Sequence, residues 1–448
     1  MAFIRKIKKK SGTYLAKVEG YRENGKVKQR IIEYLGKEID GKPEKKIFKS
    51  DLEITKVKRS IDVQAIHQLA QELGINSIKN KCFLTLVYSH LLENRSINKM
   101  EEWLEYTEIP EILGANVSTK NLYNSLADID NFEKIESQIY NYTKKFEKEK
   151  KAAIIDVTDT YFEGKNPKGK RRRGKDGKVR HLVQVGLAVS FQNGFPIFHK
   201  TYNGNLHNFD IYKDMALSLK KNKISSVILD RGMLSEDNLN MSLKLELGII
   251  AGLKKNQSLT NKFLSGIDRE SIYSLKNRVK LKNTSVFIQS FKYKEGKLIV
   301  VYNPGLEMLK NEINFENEKK REKYVGYSFI YHNTELSNES VVKKYYEKDT
   351  VERAFKQLKG ILKLRPIRVW LKNHVEGHIK ICYLAYAILS LMNYRLRKKE
   401  FSAIDALENL KHGYKVKLMD KKNKSTWETL VTLNPKQKKI LKALKCCV

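Results

Sequence analysis

Apolar and polar positions change rhythm three times along the 448-residue chain. From 1 to 50 they alternate in short runs, FIRKIKK, TYLAKVEGYRE and KVKQRIIEYLG, parted by Ser11-Gly12 and Asn24-Gly25. Alternation predicts strands, and Asn-Gly between two such runs predicts a hairpin. From 60 to 148 the spacing becomes that of amphipathic helices, as in VQAIHQLAQELG and KCFLTLVYSHLLENRS. From 152 it shortens again. AAIIDV is an apolar run fit for a buried strand, and HLVQVGLAVS and FPIFHKTY predict two more strands around Asn193-Gly194. A helix (FDIYKDMALSLKK), the strand SSVILD, a helix (LSEDNLNMSLKLE) and the strand GIIAGL follow. That order predicts a mixed α/β sheet with helical crossovers. Residues 255–335 interrupt it with strand-like segments such as SVFIQSFKY and KLIVVYNP, and helices return in ESVVKKYY and TVERAFKQLKGIL.

Charge narrows the class. Lys and Arg number 87 against 51 Asp and Glu, a net +36, while 41% hydrophobic residues mark a folded chain and not a basic tail. Such an excess points to a polyanion, nucleic acid or an anionic membrane. The plain alternative is a lysine-rich composition that solvates faces without a partner. Clustering favours nucleic acid: residues 1–50 hold 15 Lys and Arg against 6 acids, or +9, and residues 165–180 hold nine against one. No run of about 18 apolar residues occurs, so no transmembrane helix is expected, and no membrane partner is expected either. The start, MAFIRKIKKKSG, lacks the apolar core of a signal peptide. Cys82, Cys382, Cys446 and Cys447 are too few and scattered for a disulfide framework or a zinc site, so a reducing cytoplasm is expected.

The acids carry the candidate chemistry. Asp156 ends AAIID and Asp230 ends SSVILD, and strand ends are where α/β sheets present active groups. Carboxylates gathered there, with few His or Cys nearby, suit Mg²⁺ or Mn²⁺, and paired metals of that kind drive phosphodiester chemistry. Each Asp also fits a simple turn, Asp230-Arg231-Gly232 above all. A third acid sits in YYEKDTVERAFKQLKG, where Tyr345, Lys348, Glu352 and Lys359 fall on one side of a continuous helix. Asp349-Thr350-Val351-Glu352 also reads as a capping box, in which Glu352 only starts a helix. The residues by themselves lean slightly to the cap.

Together these segments resemble the DDE transposases of bacterial and archaeal insertion sequences, in particular the insertion-sequence-four-like group. That group has Asp-x-Thr on its first strand, here Asp156-Val157-Thr158, and Asp-Arg-Gly-Met after a later one, here Asp230 to Met233. Its signature helix, Tyr-x2-Arg-x3-Glu-x6-Lys, is met by Tyr345, Glu352 and Lys359, with Lys348 in the Arg place. Lys keeps the charge and loses the bidentate fork. KLRPIRVWLKNHVEGHIKICYLAY and YRENGKVKQRIIEYLGK also look like the group's continuation and N-terminal arm. The resemblance implies an RNase H-like mixed sheet flanked by helices, with a β-rich insertion, an N-terminal β arm and a helical domain. It implies a catalytic, metal-holding triad of Asp156, Asp230 and Glu352 with Mg²⁺ or Mn²⁺, and phosphate contacts from Tyr345, Lys348 and Lys359. Asp159 competes with Asp156, which is preferred because it fits the Asp-x-Thr frame. Two-metal cleavage of the element's ends and joining of 3′-hydroxyls to double-stranded target DNA are expected, from a homodimer on the nucleoid of a prokaryotic cytoplasm.

The expected domains are a basic β arm (1–50), a helical DNA-binding domain (51–150), the first part of the core (151–254), a β-rich insertion (255–335), the core's Glu-bearing and following helices (336–398) and a basic C-terminal segment (399–448). Arg171, Arg172 and Arg173, in the basic run beside the first acid, are expected to touch DNA phosphates. His374-Val-Glu-Gly-His378 imitates a zinc motif, but Val375 stands where that motif needs Glu. Trp370, His207 and Asn208 read as packing and turn residues. A decayed or repurposed DNA-binding protein and a general RNase H-like nuclease are the alternatives.

Overall fold

Asn24 and Gly25 both take up left-handed backbone, at φ 55° and 74°. Two such residues in a row give a tight turn whose twist suits paired strands. The turn joins β2 (Gly12–Glu23) to β3 (Lys26–Ile39), with Glu23 opposite Lys26. β1 (Ala2–Lys9) lies on the other edge of β2, and the short β4 (Lys42–Pro43) follows on β3. The computed structural model describes the chain apart from residues 1, 10–11, 44–50, 130, 150, 164–169, 175–176, 205, 317–323, 423 and 448.

The chain forms two compact units, Met1–Lys58 with Tyr414–Thr432, and Arg59–Gly413 with Leu433–Val448. In the first unit β5 (Leu52–Arg59) pairs with β16 (Tyr414–Asp420), and β16 with β17 (Thr426–Leu430). Lys421 N donates to Asp51 O at 2.8 Å, continuing the join. The borders expected at 50 and 399 therefore do not divide the structure. β5 belongs with the N-terminal unit because its ladder partner comes from the far end of the chain, and an exposed edge is stabilised by any strand that pairs with it.

In the second unit, α1 (Ile61–Glu72), α2 (Lys81–Leu92), α3 (Met100–Leu104), α4 (Ile109–Leu113), α5 (Thr119–Ser125) and α6 (Phe132–Thr143) precede the sheet. The sheet then takes β6 (Ala152–Tyr161), β7 (Lys170–Arg173), β8 (Val179–Ser190), β9 (Pro196–Asn203), α7 (Asn208–Lys221), β10 (Ser226–Leu229), α8 (Glu236–Lys244) and β11 (Gly248–Leu253). Core strands lie in the order β9-β8-β6-β10-β11. β10 runs parallel to β6 and β11, while β8 and β9 make the antiparallel hairpin. A hairpin followed by two helical crossovers, in that strand order, is the RNase H-like arrangement.

The segment after β11 extends this sheet. β12 (Arg278–Lys280), β13 (Ser285–Tyr293), β14 (Gly296–Tyr302) and β15 (Tyr327–His332) form an antiparallel run that joins the core where β15 pairs with β11. The short helices α9 (Gln257–Leu259) and α10 (Arg269–Ile272) precede this run and α11 (Pro304–Glu316) lies between β14 and β15; Phe263 and Ile272 pack with Phe287, Leu298, Val300 and Phe329 of the strands.

Alternation along β6 sends its side chains to two sides. Ala153, Ile155 and Val157 pack with Ile211, Tyr212 and Met215 of α7. Asp156, Thr158 and Thr160 point to the opposite side, where α12 (Asn338–Tyr346), α13 (Asp349–Gly360) and α14 (Lys372–Leu396) follow the insertion. α14 is 25 residues long and, by length and composition, apolar enough to cross a membrane, yet most of it is buried within the protein. It is a core helix, and His378 and Lys380 break up the apolar run in the sequence. α15 (Ala403–Leu410) and α16 (Pro435–Leu444) close the second unit.

Candidate active site

Strand register brings the first two acids together. Leu229 of β10 lies opposite Ile155 of β6 in a parallel pair, so the next residues along, Asp230 just past β10 and Asp156 still within β6, stand side by side. Asp156 stays in its strand, where Oδ1 accepts a hydrogen bond from Val157 N at 2.7 Å. Asp230 starts a turn in which Met233 N donates to Asp230 O at 3.3 Å. Gly232 turns at φ 88°, a left-handed value that glycine adopts without strain, and a Cβ there would meet Lys254 Cε at 3.2 Å.

Glu352 arrives from α13. Its carboxylate lines a cleft of about 420 Å³ with Asp156, Thr158, Phe355, Lys356, Lys359, Gly360 and Arg365. The capping reading does not hold. The residue before α13 is Lys348, and no side chain caps this helix start, so Glu352 is left to face the cleft. Nor is the signature helix continuous. α12 ends at Tyr346 and α13 begins at Asp349, which turns Tyr345 and Lys348 away from the common face that one helix would give them.

Tyr345 is only 5% exposed, and its hydroxyl has no hydrogen-bond partner among the described residues. It rests on β11: a Cβ on Gly252 would lie 2.0 Å from that oxygen. Burial therefore removes Tyr345 from direct phosphate contact in this structure. Lys348 is paired with the carboxylate of Asp230. Burial pulls its ammonium pKa down, but the Asp230 hydrogen bond, with the charges of Tyr345, Asp230 and Glu352, outweighs this and raises it. Lys359 lies in the cleft, its ammonium 5.6 Å from the centre of the Phe355 ring.

Asp159, the rival of Asp156, lies on the other side of β6. It is 8% exposed and paired with Arg172 at 2.7 Å. Arg172 thus turns inward, while its neighbours Arg171 and Arg173 on β7 are exposed. Of the basic 165–180 stretch, residues 165–169 and 175–176 lie outside the described residues. His374 stacks on Tyr123 at 6.5 Å, and His378 packs edge-on to His90 at 5.7 Å, with Cys382 Sγ 3.8 Å from His378 Nε2. Trp370 is 48% exposed. Motif reading passed over Lys356 and Arg365. The only sequence sign of Arg365 is its place in Leu-Arg-Pro shortly after the Glu helix.

The donors in the cleft suit a hard divalent cation, being carboxylate oxygens without thiol or imidazole. Among the described residues, however, no three His, Cys, Asp or Glu side chains stand as a ready-made metal cage. Asp230 faces Lys348 instead. A second observation fits a polar occupant: Thr158 Oγ1 is buried in the cleft wall without a hydrogen-bond partner. Leaving a buried hydroxyl unpaired costs about 1–3 kcal/mol.

The fold and the cleft define an RNase H-like protein with one acid midway along β6, which runs on to Tyr161 and does not end at Asp156 as the sequence suggests, and another just past the end of the neighbouring β10. Residues 147–388, more than half of the chain, match the family described as Transposase DDE domain, and residues 4–60 match the IS1634 family transposase, N-terminal domain. The chain belongs to the DDE transposases of insertion sequences and is a DDE-type DNA transposase. Among solved structures it is similar to a piggyBac transposase synaptic complex with hairpin DNA, at 13% identity and a TM-score of 0.40, over 78% of this chain and 76% of that one. It is also similar to Marinitoga piezophila Argonaute in complex with a 5′ OH guide RNA, at 12% identity and a TM-score of 0.22, over 51% and 31%. No curated protein matches it significantly.

Proposed function

We propose that this transposase cuts the ends of its own insertion sequence with Asp156, Asp230 and Glu352, and joins the freed 3′-hydroxyls to target DNA. The observation that carries this reading is the cleft shared by Asp156 and Glu352, with Asp230 one register step away on the adjacent strand. The three acids would hold Mg²⁺ or Mn²⁺, which supplies an activated water or 3′-hydroxyl and stabilises the leaving oxygen. Around them, Lys356 and Lys359 would attract the phosphate backbone, and Lys348 would release Asp230 when metal binds. Phe355 supplies the apolar part of the cleft wall. The protein would act as a homodimer that brings two ends together, on the nucleoid in the cytoplasm.

The test uses a duplex bearing the inverted repeat that flanks the gene. Asp156→Ala, Asp230→Ala and Glu352→Ala should each abolish metal-dependent cleavage and leave binding of that duplex unchanged. Cleavage at the wild-type rate by any one of them removes that residue from the triad. Cutting of unrelated duplexes at the same rate, without strand joining, would instead favour a general nuclease.

A further inference from the structure

Two polar groups in the cleft wall are without partners, and the reading above gives them no task. Thr158 is 1% exposed, and its hydroxyl makes no hydrogen bond among the described residues. Arg365 lines the same cleft half-buried, with no hydrogen bond or ion pair to another described residue. The other cations near the acids are differently placed. Lys348 is taken up by Asp230, Lys359 lies over Phe355, and Lys356 stands in solvent.

Arg365 is also held firmly. Leu364 N donates to Leu358 O at 2.8 Å, and Thr160 Oγ1 donates to Leu364 O at 2.8 Å. On the other side Ile367 N donates to Tyr161 O at 2.8 Å, and Glu163 N to Ile367 O at 3.0 Å. The backbone before and after Arg365 is thus tied to α13 and to the end of β6, the strand that bears Asp156 and Thr158. Backbone fixed in this way sets where the Arg365 side chain starts, so binding has only the side chain's own rotamers to order.

We infer that Thr158 and Arg365 form an anchor for one backbone phosphate of the DNA strand that lies across Asp156 and Glu352. The hydroxyl donates one hydrogen bond to a non-bridging oxygen. The planar guanidinium donates two in parallel, a geometry that lysine does not offer. Phosphate, and not a carboxylate ligand, is the occupant, because the cleft belongs to a DNA transposase and opens between two carboxylates that repel a third. The anchor rests on the acid assignment for its place beside the chemistry, yet it is measurable without cleavage.

The experiment places a single neutral methylphosphonate at successive positions around the cleavage site of the terminal-repeat duplex, and measures metal-free binding as well as cleavage. In the wild type, one position should weaken binding and cleavage about tenfold to a hundredfold, the size of a charge-assisted contact. Arg365→Ala should show that loss on unmodified DNA and little further loss at that one position. Arg365→Lys should recover only part of it. Thr158→Val should reduce binding and cleavage severalfold while melting no lower than the wild type, because it removes an unpaired buried hydroxyl at nearly constant volume. Asp156→Ala serves as the control: if it still cleaves, the acid assignment falls while the binding data continue to judge the anchor. Folded Arg365→Ala and Thr158→Val proteins that bind the unmodified duplex as the wild type does would overturn the inference. So would losses from Arg365→Ala and from the methylphosphonate that simply multiply at every position.

Discussion

Single residues decide which acid does what. Asp156 and Asp159 are three residues apart on one strand, and only strand alternation separates them: Asp156 faces the cleft with Glu352, and Asp159 faces Arg172. In the sequence the Asp-x-Thr frame alone preferred Asp156; an odd spacing on a strand puts the two acids on opposite sides but does not say which side holds the cleft. The partner of Asp230 was not legible. Lys348 was expected on a phosphate and is found on Asp230, because the break between α12 and α13 swings it toward the end of β10. If Asp230 holds metal as proposed, the cation resting on it competes with that metal. Lys348→Ala should therefore bind Mn²⁺ more tightly than the wild type in the absence of DNA, by up to about fivefold, the worth of a partly exposed ion pair. Calorimetric titration reads this directly, and an unchanged or weaker affinity would mean that the pair does not compete.

At the scale of elements, the core strands β6, β8, β9, β10 and β11 and their crossovers were readable because these strands are apolar and the helices have an apolar face, whereas β7, all Lys and Arg, reads as a loop. The junctions were harder. A motif with helical spacing over Tyr345 to Lys359 spans two helices, since neither local pattern nor propensity marks the turn at Glu347-Lys348. The segment after α13 is held through His90 of α2 and His378 of α14. His90 Nε2 bonds to Leu362 O, and Cys382 Sγ lies 3.4 Å from His90 Nε2. Burial pushes both imidazoles down, His90 to about 3 and His378 to about 4, from an ordinary 6.5. For His90 the neighbouring His378 adds to the effect. A depressed pKa means that the unfolded chain binds protons the folded one refuses. The stabilisation is fully present above about 6.5 and is lost as pH falls toward 4 and then 3. The unfolding free energy from urea titrations should thus drop between pH 7 and pH 5, by up to about 1.4 kcal/mol per pH unit for each histidine. His378→Gln should flatten that slope, and an equally steep slope in the mutant would place the acid sensitivity elsewhere.

The net charge of +36 belongs to the whole molecule, and only its placement says what it does. The Lys-rich C-terminal segment carried no readable role in sequence because its structure depends on partners hundreds of residues away. β16 and β17 complete the sheet of β5, and Ile440 and Leu444 of α16 are fully buried. Charge there is the solvated side of packed elements. The triple arginine on β7 divides in the same way, by strand alternation and not by composition. Arg171 and Arg173 are exposed, whereas Arg172 is tied to Asp159. Each phosphate neutralised by a protein cation changes the slope of log K against log salt by about 0.9. Arg171→Ala with Arg173→Ala should therefore make the slope for duplex binding shallower by about 1.8 if both arginines touch phosphate. Arg172→Ala should leave the slope unchanged and lower stability by about 1–3 kcal/mol, through the buried carboxylate of Asp159 that it strands. Binding isotherms across a salt series, with a urea melt of each variant, separate the two effects. A shallower slope for Arg172→Ala would show that the guanidinium leaves Asp159 for DNA, and that the basic strand rearranges when the duplex binds.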